Sequence, residues 1–338
     1  MLLINKKLVI VRPGLLNVIE EPLHYSLSET EVLVEVKKIS ICGSDLKLYK
    51  GTYNAPSIYP IVPGHEWCGV VLEKGKNVSE IKVGDLVTGD CSVYCGQCTC
   101  CGKDKNLCEH ISKFGITRDG FGQRYRVVDV KYLYVSPPDT DPSSLALTEC
   151  FSVANHAIKI FFRKHRAVDA SILIIGSGPI GMAIFELLKH KYRLKRLVIL
   201  EKDQCRIDLL KKIYGYREIA GYNQLDPEQK FDVVFEATGN IHALDFSISA
   251  AAVFGTIICL GFIPDGTLKN LSQVVTKALT IKGSIGGTGE FFEMIDFLRS
   301  NPAVAEKFVT NTFPSENAGK VFEEACSKQD NLKIQLYF

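Results

Sequence analysis

The pattern of hydrophobic and polar positions changes character near the middle of the chain. Before about residue 150, short runs with alternating apolar positions are separated by glycine, proline and aspartate turns. These runs are 31–39, 67–75, 85–90, 123–130 and 133–137. Alternation of this kind is typical of strands that bury one face. The first part of the chain therefore predicts an antiparallel β domain with irregular loops.

From about residue 154 to 300, apolar strand-like runs alternate with amphipathic helical stretches. The strand-like runs are 171–176, 196–201, 231–239, 255–262 and 279–285, and the helical stretches between them include 179–192, 204–215 and 242–254. This rhythm predicts βαβ units on a parallel sheet. The tail from about 300 returns to a mixed pattern and is expected to pack on the first domain. We therefore expect one domain from 1–153 with 300–338, and a second from 154–299.

Composition narrows the classes of function. The chain has 338 residues, 46% hydrophobic, which is enough apolar material for two cores. A net charge of +2 without a basic stripe excludes a nucleic-acid partner. Glycine and proline interrupt the longest apolar runs, and the N-terminus lacks a signal-peptide pattern, so we expect no membrane association and a cytoplasmic protein. Twelve cysteines in so large a chain favour metal binding over a disulfide framework.

Four cysteines follow the spacing C-x2-C-x2-C-x6-C in one short loop. They are Cys95, Cys98, Cys101 and Cys108. Four thiolates this close in sequence can close a tetrahedral zinc site without help from distant chain. Cys100 shares the loop but breaks the spacing. The run predicts a structural zinc site.

A glycine-rich turn opens the second domain. Gly176, Gly178 and Gly181 form G-x-G-x-x-G after a strand and before a helix. The glycines allow a tight turn, close approach of a pyrophosphate and close helix packing, and the helix N-terminus attracts the phosphates. Glu201 ends the next strand, where a carboxylate binds the adenosine ribose and repels a 2′-phosphate, which favours NAD. Lys202 follows directly and leaves NADP possible. Further expected cofactor contacts are Pro179, Ile180, Arg206, Thr238, Leu260, Gly261, Phe262 and Ser284.

Three further clusters carry zinc-competent side chains in widely separated loops. They are C-G-S-D from Cys42, G-H-E around His65 and Glu66, and T-E-C-F-S-V around Glu149. Taken singly, Cys42 could be a buried apolar residue and each acid a solvated side chain. A catalytic zinc site, however, is commonly assembled from distant segments and keeps one position open for substrate.

These motifs, with V-G-D at 83–85 and D-G-F at 119–121, resemble in type and order the zinc-dependent medium-chain alcohol and polyol dehydrogenase family. The glutamates in G-H-E and E-x-x-S-V resemble its sorbitol dehydrogenase-like branch, and several segments resemble ribitol-5-phosphate dehydrogenases. The resemblance implies an α/β fold with a GroES-like β-rich catalytic domain and a Rossmann doubly wound parallel-sheet domain. It also implies a homodimer or homotetramer.

By the same resemblance, Cys42, His65 and Glu66 hold the catalytic zinc, and Glu149 binds it directly or through a water. Ser44 relays the alcohol proton outward. The chain departs from the branch at Cys150, where proline is usual, so that this thiol could replace Glu149 as ligand. It departs again at Lys47, where histidine is usual and a lysine could meet a substrate phosphate, and at Gly286 and Gly287, where an Arg–Tyr pair is usual.

We therefore expect an NAD-dependent oxidoreductase with two zinc ions per chain. It would interconvert a secondary alcohol of a polyol, cyclitol or sugar-alcohol phosphate with its ketone by hydride transfer. One alternative is a binding or structural protein that kept the fold and lost the chemistry, which the intact ligand set argues against. Another is a zinc-independent reductase, which generally lacks the four-cysteine lobe.

Overall fold

The computed structural model describes residues 3–162, 169–215, 218–327 and 330–338. The chain divides into two compact units. The first unit is Met1–Ser152 with Gly286–Phe338, and the second unit is Val153–Ile285. No helix among the described residues is both long enough and apolar enough to span a membrane.

The strands and helices are numbered in chain order. The strands are β1 (Ile4–Arg12), β2 (Leu15–Pro22), β3 (Glu31–Ser40), β4 (Glu66–Lys74), β5 (Leu86–Gly89), β6 (Ser92–Val93), β7 (Ser112–Lys113), β8 (Tyr125–Asp129), β9 (Leu133–Val135), β10 (Ile172–Ile175), β11 (Leu197–Glu201), β12 (Ile219–Gly221), β13 (Phe231–Glu236), β14 (Ala251–Cys259), β15 (Thr280–Gly283), β16 (Val309–Pro314) and β17 (Lys333–Tyr337). The helices are α1 (Gly43–Lys50), α2 (Pro142–Leu145), α3 (Thr148–Phe162), α4 (Pro179–Glu186), α5 (Gln204–Tyr214), α6 (Ile241–Ala250), α7 (Ser272–Thr276), α8 (Phe291–Ser300), α9 (Pro302–Phe308) and α10 (Ala318–Ser327).

The first unit is built on a mostly antiparallel sheet with strand order β16-β17-β3-β4-β5-β9, and β8 also pairs with β3. Strand β3 is central because its run of valine and leucine is buried. Trp67 of β4 stacks on Phe121 with ring centroids 3.8 Å apart, and Phe114 meets Phe121 edge-on at 5.3 Å. These rings fix the start of β4, which begins with Glu66 directly after His65.

The second unit is a six-stranded parallel sheet in the order β12-β11-β10-β13-β14-β15. All four residues of β10 are buried, as expected for a central strand covered on both faces. Strand order reverses between β10 and β13, and ligands of such sheets bind beyond the carboxyl ends of the strands at that point.

Two expectations about elements are corrected. The stretch 242–254 is helical only to Ala250, because β14 starts at Ala251 and pairs in parallel with β13. Helix α8, expected in the nucleotide domain, lies in the first unit. The chain therefore returns from the second unit to the first between residues 285 and 286, and not between 299 and 300. The reason is aromatic packing: Phe291 stacks on Tyr134 at 4.5 Å between ring centroids.

Candidate functional site

Three of the predicted zinc ligands come together in the first unit. One ligand atom each of Cys42, His65 and Glu66 lies within 4.8 Å of the others. Cys42 caps the N-terminus of α1, and His65 and Glu66 form the entry to β4. Residues that are distant in sequence therefore meet because a helix start and a strand start lie side by side.

A buried carboxylate stands behind His65. Asp45, 1% exposed, accepts hydrogen bonds from the backbone N–H of Cys42 at 2.9 Å and of Gly64 at 3.2 Å. One of its oxygens lies 3.7 Å from Nδ1 of His65. This arrangement turns the other ring nitrogen, Nε2, away from Asp45, and Nε2 lies 3.3 Å from the Ser44 hydroxyl. Asp45 thus orients the imidazole, as carboxylates behind metal-binding histidines commonly do.

The second carboxylate, Glu66, is paired with a lysine that sequence reasoning missed. Lys333 Nζ lies 2.8 Å and 2.7 Å from the two carboxylate oxygens of Glu66, and both side chains are buried. Burial opposes the charged lysine, but Glu66 outweighs it, so the pKa of Lys333 lies above its usual value. Lys333 begins β17, and no motif marks it, because the contact depends on β17 returning beside β3.

Glu149 and Cys150 lie in the first turn of α3 and are both buried. Neither belongs to the group of three ligand atoms within 4.8 Å of one another. The Glu149 carboxyl, whose pKa is raised by burial, hydrogen-bonds with the Cys91 thiol. No motif marks Cys91, because its neighbour Glu149 is supplied by a different element.

The electrostatics of this group fit a divalent cation. Burial lowers the pKa of His65, but the nearby Asp45 and Cys42 outweigh it and raise that pKa to about 10. Acidic side chains are therefore concentrated around one buried imidazole. Thiolate, imidazole and carboxylate are also the donors that zinc prefers, and three protein ligands leave a fourth position for substrate. The residues present could hold a catalytic zinc.

The four-cysteine loop has the geometry of a structural zinc site. Ligand atoms of Cys95, Cys98, Cys101 and Cys108 lie within 4.8 Å of one another, and all twelve cysteines of the chain are free. Sulfur–sulfur distances of 3.6, 3.9 and 4.0 Å match the edge of about 3.8 Å expected of a tetrahedron with bonds of about 2.3 Å. Hydrogen bonds from the backbone of Glu109 and Cys101 lower the pKa of Cys98 to about 6, which favours the thiolate.

The loop also explains one of the two glycines at 286 and 287, where the family resemblance implied an Arg–Tyr pair. Gly286 has φ +71°, and a Cβ there would lie 2.1 Å from the Asn106 side chain. Asn106 accepts a hydrogen bond from the Thr288 backbone N–H at 3.0 Å. The segment after β15 therefore packs on the cysteine loop, and no side chain fits at that point.

The predicted phosphate turn has its expected form in the second unit. Gly176 has φ +96°, Gly178 caps α4 and Pro179 is the first residue of that helix. A Cβ on Gly181 would lie 1.9 Å from the Gly176 carbonyl oxygen, so only glycine allows this packing. Space around the Gly178 Cβ position is open, as a pyrophosphate-binding turn requires.

A cavity of about 490 Å³ lies beside this turn and beside the end of β11. Glu201 lines it, as does Thr238. The Glu201 carboxylate accepts hydrogen bonds from the Ser177 hydroxyl at 2.7 Å and from the Lys202 backbone N–H at 2.7 Å. Tyr222, Asn240 and His242 also line the cavity and were not predicted, because no spacing rule marks them.

The other expected cofactor residues lie outside that cavity lining. They are Gly178, Pro179, Ile180, Gly181, Arg206, Leu260, Gly261, Phe262 and Ser284. Gly261 packs so closely on Gly239 that a Cβ would lie 2.2 Å from the Gly239 nitrogen. Lys47 is exposed in the last turn of α1.

Comparison with known proteins identifies the family. The sequence model for the alcohol dehydrogenase GroES-like domain matches residues 28–138, and that for zinc-binding dehydrogenases matches residues 179–300. The chain belongs to the zinc-dependent medium-chain alcohol and polyol dehydrogenase family. It is therefore an oxidoreductase of the alcohol dehydrogenase type that uses zinc and NAD(P), and the predicted GroES-like and Rossmann fold is confirmed.

Individual relatives are distant but cover almost the whole chain. The L-threonine 3-dehydrogenase of Legionella pneumophila (strain Corby) is 29% identical over 319 residues, 90% of this chain and 92% of that protein. The starvation-sensing protein RspB of Escherichia coli (strain K12) is 28% identical over 315 residues, 91% of each. A solved alcohol dehydrogenase structure (rspB) from E. coli CFT073, complexed with NADH, has a TM-score of 0.89, 26% identity and 99% coverage of both chains.

Proposed function

We propose that this protein is an NAD-dependent dehydrogenase of a polyhydroxylated secondary alcohol, with Cys42, His65 and Glu66 holding its catalytic zinc. The observation that carries the proposal is the meeting of these three ligand atoms within 4.8 Å, with His65 and Glu66 buried and Cys42 partly exposed. The charge of Glu149 acts on the same imidazole. In this proposal the first unit carries the chemistry and the second unit binds the dinucleotide.

When bound, zinc would lower the pKa of the substrate hydroxyl, and the nicotinamide would accept a hydride. The protein supplies orientation and a route for the proton. Asp45 fixes the His65 ring, and the Ser44 hydroxyl beside that ring accepts the proton of the substrate hydroxyl and passes it outward. Glu149, with its pKa raised by burial, can hold a hydrogen bond to a neighbouring substrate hydroxyl.

Acidic side chains support a polyol over a simple alcohol. Glu66 and Glu149 give the site an acidic, polar character that suits a substrate with several hydroxyls better than one with a single hydroxyl. Lys47, exposed on α1, supports a phosphorylated polyol, since an ammonium can meet a phosphate as a point charge. A second candidate is a 3-hydroxy amino acid, which the similarity to L-threonine 3-dehydrogenases favours.

Glu201 supports NAD over NADP. A 2′-phosphate on the adenosine ribose would meet its carboxylate charge in the cavity beside the phosphate turn. Lys202 lines the same cavity, so replacing Glu201 with serine should erode the preference for NAD.

One panel tests these proposals together. Initial rates are measured with NAD and with NADP for polyols, sugar-alcohol phosphates, cyclitols, L-threonine and ethanol. We expect the highest kcat/KM for a polyol-type secondary alcohol with NAD. A higher value for L-threonine would select the second candidate, and a higher value for ethanol would refute both.

We also propose two zinc ions per chain and assembly as a homodimer through the second unit. Strand β15 is an edge of the parallel sheet, and exposed apolar side chains lie nearby. Val275 is 83% exposed, Phe254 is 80% exposed, and the Phe254 N–H bonds to the Lys277 carbonyl, which brings these two segments together. An unpaired edge with apolar neighbours favours a partner strand. A homotetramer would contain the same contact.

A further inference from the structure

The first unit contains a cavity whose lining residues have no role in the proposed chemistry. Its volume is about 670 Å³. Strands β1 and β8, the end of β2 and the turn after β7 form its walls. Its basic lining residues are Lys7, His24, Arg118, Arg126 and Lys131. A cavity of this size accommodates a small metabolite.

Two arginines of this cavity share one aromatic ring. The guanidinium carbons of Arg118 and Arg126 lie 5.8 Å and 5.7 Å from the centroid of the Phe114 ring. The turn that places Arg118 is closed by a hydrogen bond from the Gly115 N–H to the Arg118 carbonyl at 2.7 Å. Stacking on a ring orients a guanidinium and leaves its N–H groups free to bind an oxyanion.

Neither guanidinium has a carboxylate within ion-pair distance among the described residues. The Nε of Arg126 is buried and has no hydrogen-bond partner in that part of the chain. A buried donor without a partner is costly, which favours a ligand that supplies an acceptor. Burial lowers the pKa of Arg126, the charge of Asp119 opposes this, and the charge of Arg118 lowers that pKa further. Two cations without a direct ion-pair partner among the described residues therefore lie close together.

The acids of the cavity already have partners. Glu21 pairs with Lys7. Asp129 accepts hydrogen bonds from the Thr30 hydroxyl and the Lys131 backbone N–H, and Glu31 accepts one from the Ser28 N–H. These carboxylates do not reach the two arginines closely enough to neutralise them by direct pairing.

We propose that this cavity binds a phosphomonoester of a small metabolite, with its phosphate held by Arg118 and Arg126. Guanidinium groups bind phosphate oxygens in bidentate fashion, and the three terminal oxygens of a phosphate can serve two arginines at once. Tyr125 and Tyr132, both largely buried, also line the cavity and form part of its wall. The site lies apart from the proposed phosphate contact at Lys47, which is not among the lining residues.

Inorganic phosphate is the probe, titrated calorimetrically into zinc-loaded protein saturated with NADH at constant ionic strength. NADH occupies the phosphate turn of the second unit, so that inorganic phosphate does not bind there and contribute to the measured heat. We expect one phosphate site that weakens at least about tenfold in Arg126→Met and in Arg118→Met. Arg124→Met is the matched control, because Arg124 lies outside the cavity lining and pairs with Glu35 at 3.3 Å.

Melting temperatures measured in chloride establish whether each variant is folded. If Arg126→Met is unfolded, Arg126→Lys is titrated in its place. Three outcomes would overturn the proposal. They are the absence of phosphate binding to the unmodified protein, equal affinity in the cavity and control variants, and tighter binding of acetate than of phosphate.

Discussion

At the scale of single residues, the site depends on groups that support the ligands. Asp45 orients His65, Lys333 neutralises Glu66, and Cys91 bonds with Glu149. Each of these partners is buried, so each contact is made in a region where unpaired charge is costly. Removing a partner should therefore lower the free energy of unfolding most when the metal is absent.

Lys333 gives the first prediction. Lys333→Met should leave Glu66 buried without a cation and lower the free energy of unfolding of metal-depleted protein by about 3–5 kcal/mol. Zinc should recover part of this loss, and Lys333→Met with Glu66→Gln should be more stable than Lys333→Met alone. Urea unfolding measures all three. Lys320→Met, on an exposed lysine, is the control. Equal stability of Lys333→Met and the control would show that the ion pair has no structural importance.

Asp90 gives a prediction about pH. Its Oδ1 accepts the Ser92 N–H at 2.9 Å, and burial raises its pKa to about 6 against the opposing effects of the Thr288 hydroxyl and the Ser92 N–H. The folded protein thus binds this proton more tightly than the unfolded chain, where aspartate titrates near pH 3.9. The stabilisation is full below about pH 4 and is lost as the pH rises through about 6.

Asp90→Asn should remove that dependence, because the amide stays neutral. At pH 8 the variant should be more stable than the unmodified protein by about 3 kcal/mol, with little gain at pH 4. Urea unfolding at both pH values checks it. A variant that is less stable at pH 8 would mean that the Asp90 charge stabilises the fold.

The sequence predicted the site residues that lie in short motifs, and it did not predict the residues that support them. Cys42, His65 and Glu66 were predictable because each lies in a short motif, and a motif can be recognised in the sequence before the fold is known. Lys333 and Cys91 were not, because their partners are far away in sequence and the contacts exist only once β17 and the segment after β5 are in place. Tyr222 in the nucleotide cavity was missed for the same reason.

At the scale of elements, hydrophobic periodicity predicted the parallel sheet well. Its strands are uninterrupted apolar runs, such as β10, and a fully buried strand has that signature. The end of α6 and the position of α8 were not predictable. Alanine-rich sequence around Ala251 suits a helix, and only pairing with β13 makes it a strand. Packing of Phe291 on Tyr134 assigns α8 to the first unit.

The four-cysteine loop gives a prediction at this scale. Cys98→Ser should lose one zinc per chain and lower the melting temperature, since metal binding and folding of such loops are coupled. Cys100→Ser is a close control, because Cys100 lies in the same loop but outside the four-sulfur group. Metal analysis and thermal unfolding report on both variants. Unchanged zinc in Cys98→Ser, or equal loss in Cys100→Ser, would rule out the assigned ligands.

At the scale of the whole molecule, the exposed apolar side chains beside β15 predict how the protein assembles. Val275→Asp should convert the proposed dimer to monomer, because a charge would be buried against the partner. Val83→Asp, on a 60% exposed valine of the first unit, should not. Sedimentation measures the mass of each variant. A dimer that persists in Val275→Asp would move the interface elsewhere, and a monomeric unmodified protein would remove it.

The proposed reaction depends on a metal held by Cys42, His65 and Glu66. The most direct test measures zinc content and the rate of NADH formation in the same preparations of unmodified protein and Cys42→Ser. We expect two zinc ions in the unmodified protein, and in the variant one zinc, an unchanged fold and a rate lower by about a thousandfold. A Cys42→Ser protein that has lost one zinc yet oxidises its alcohol at the unmodified rate would contradict the account.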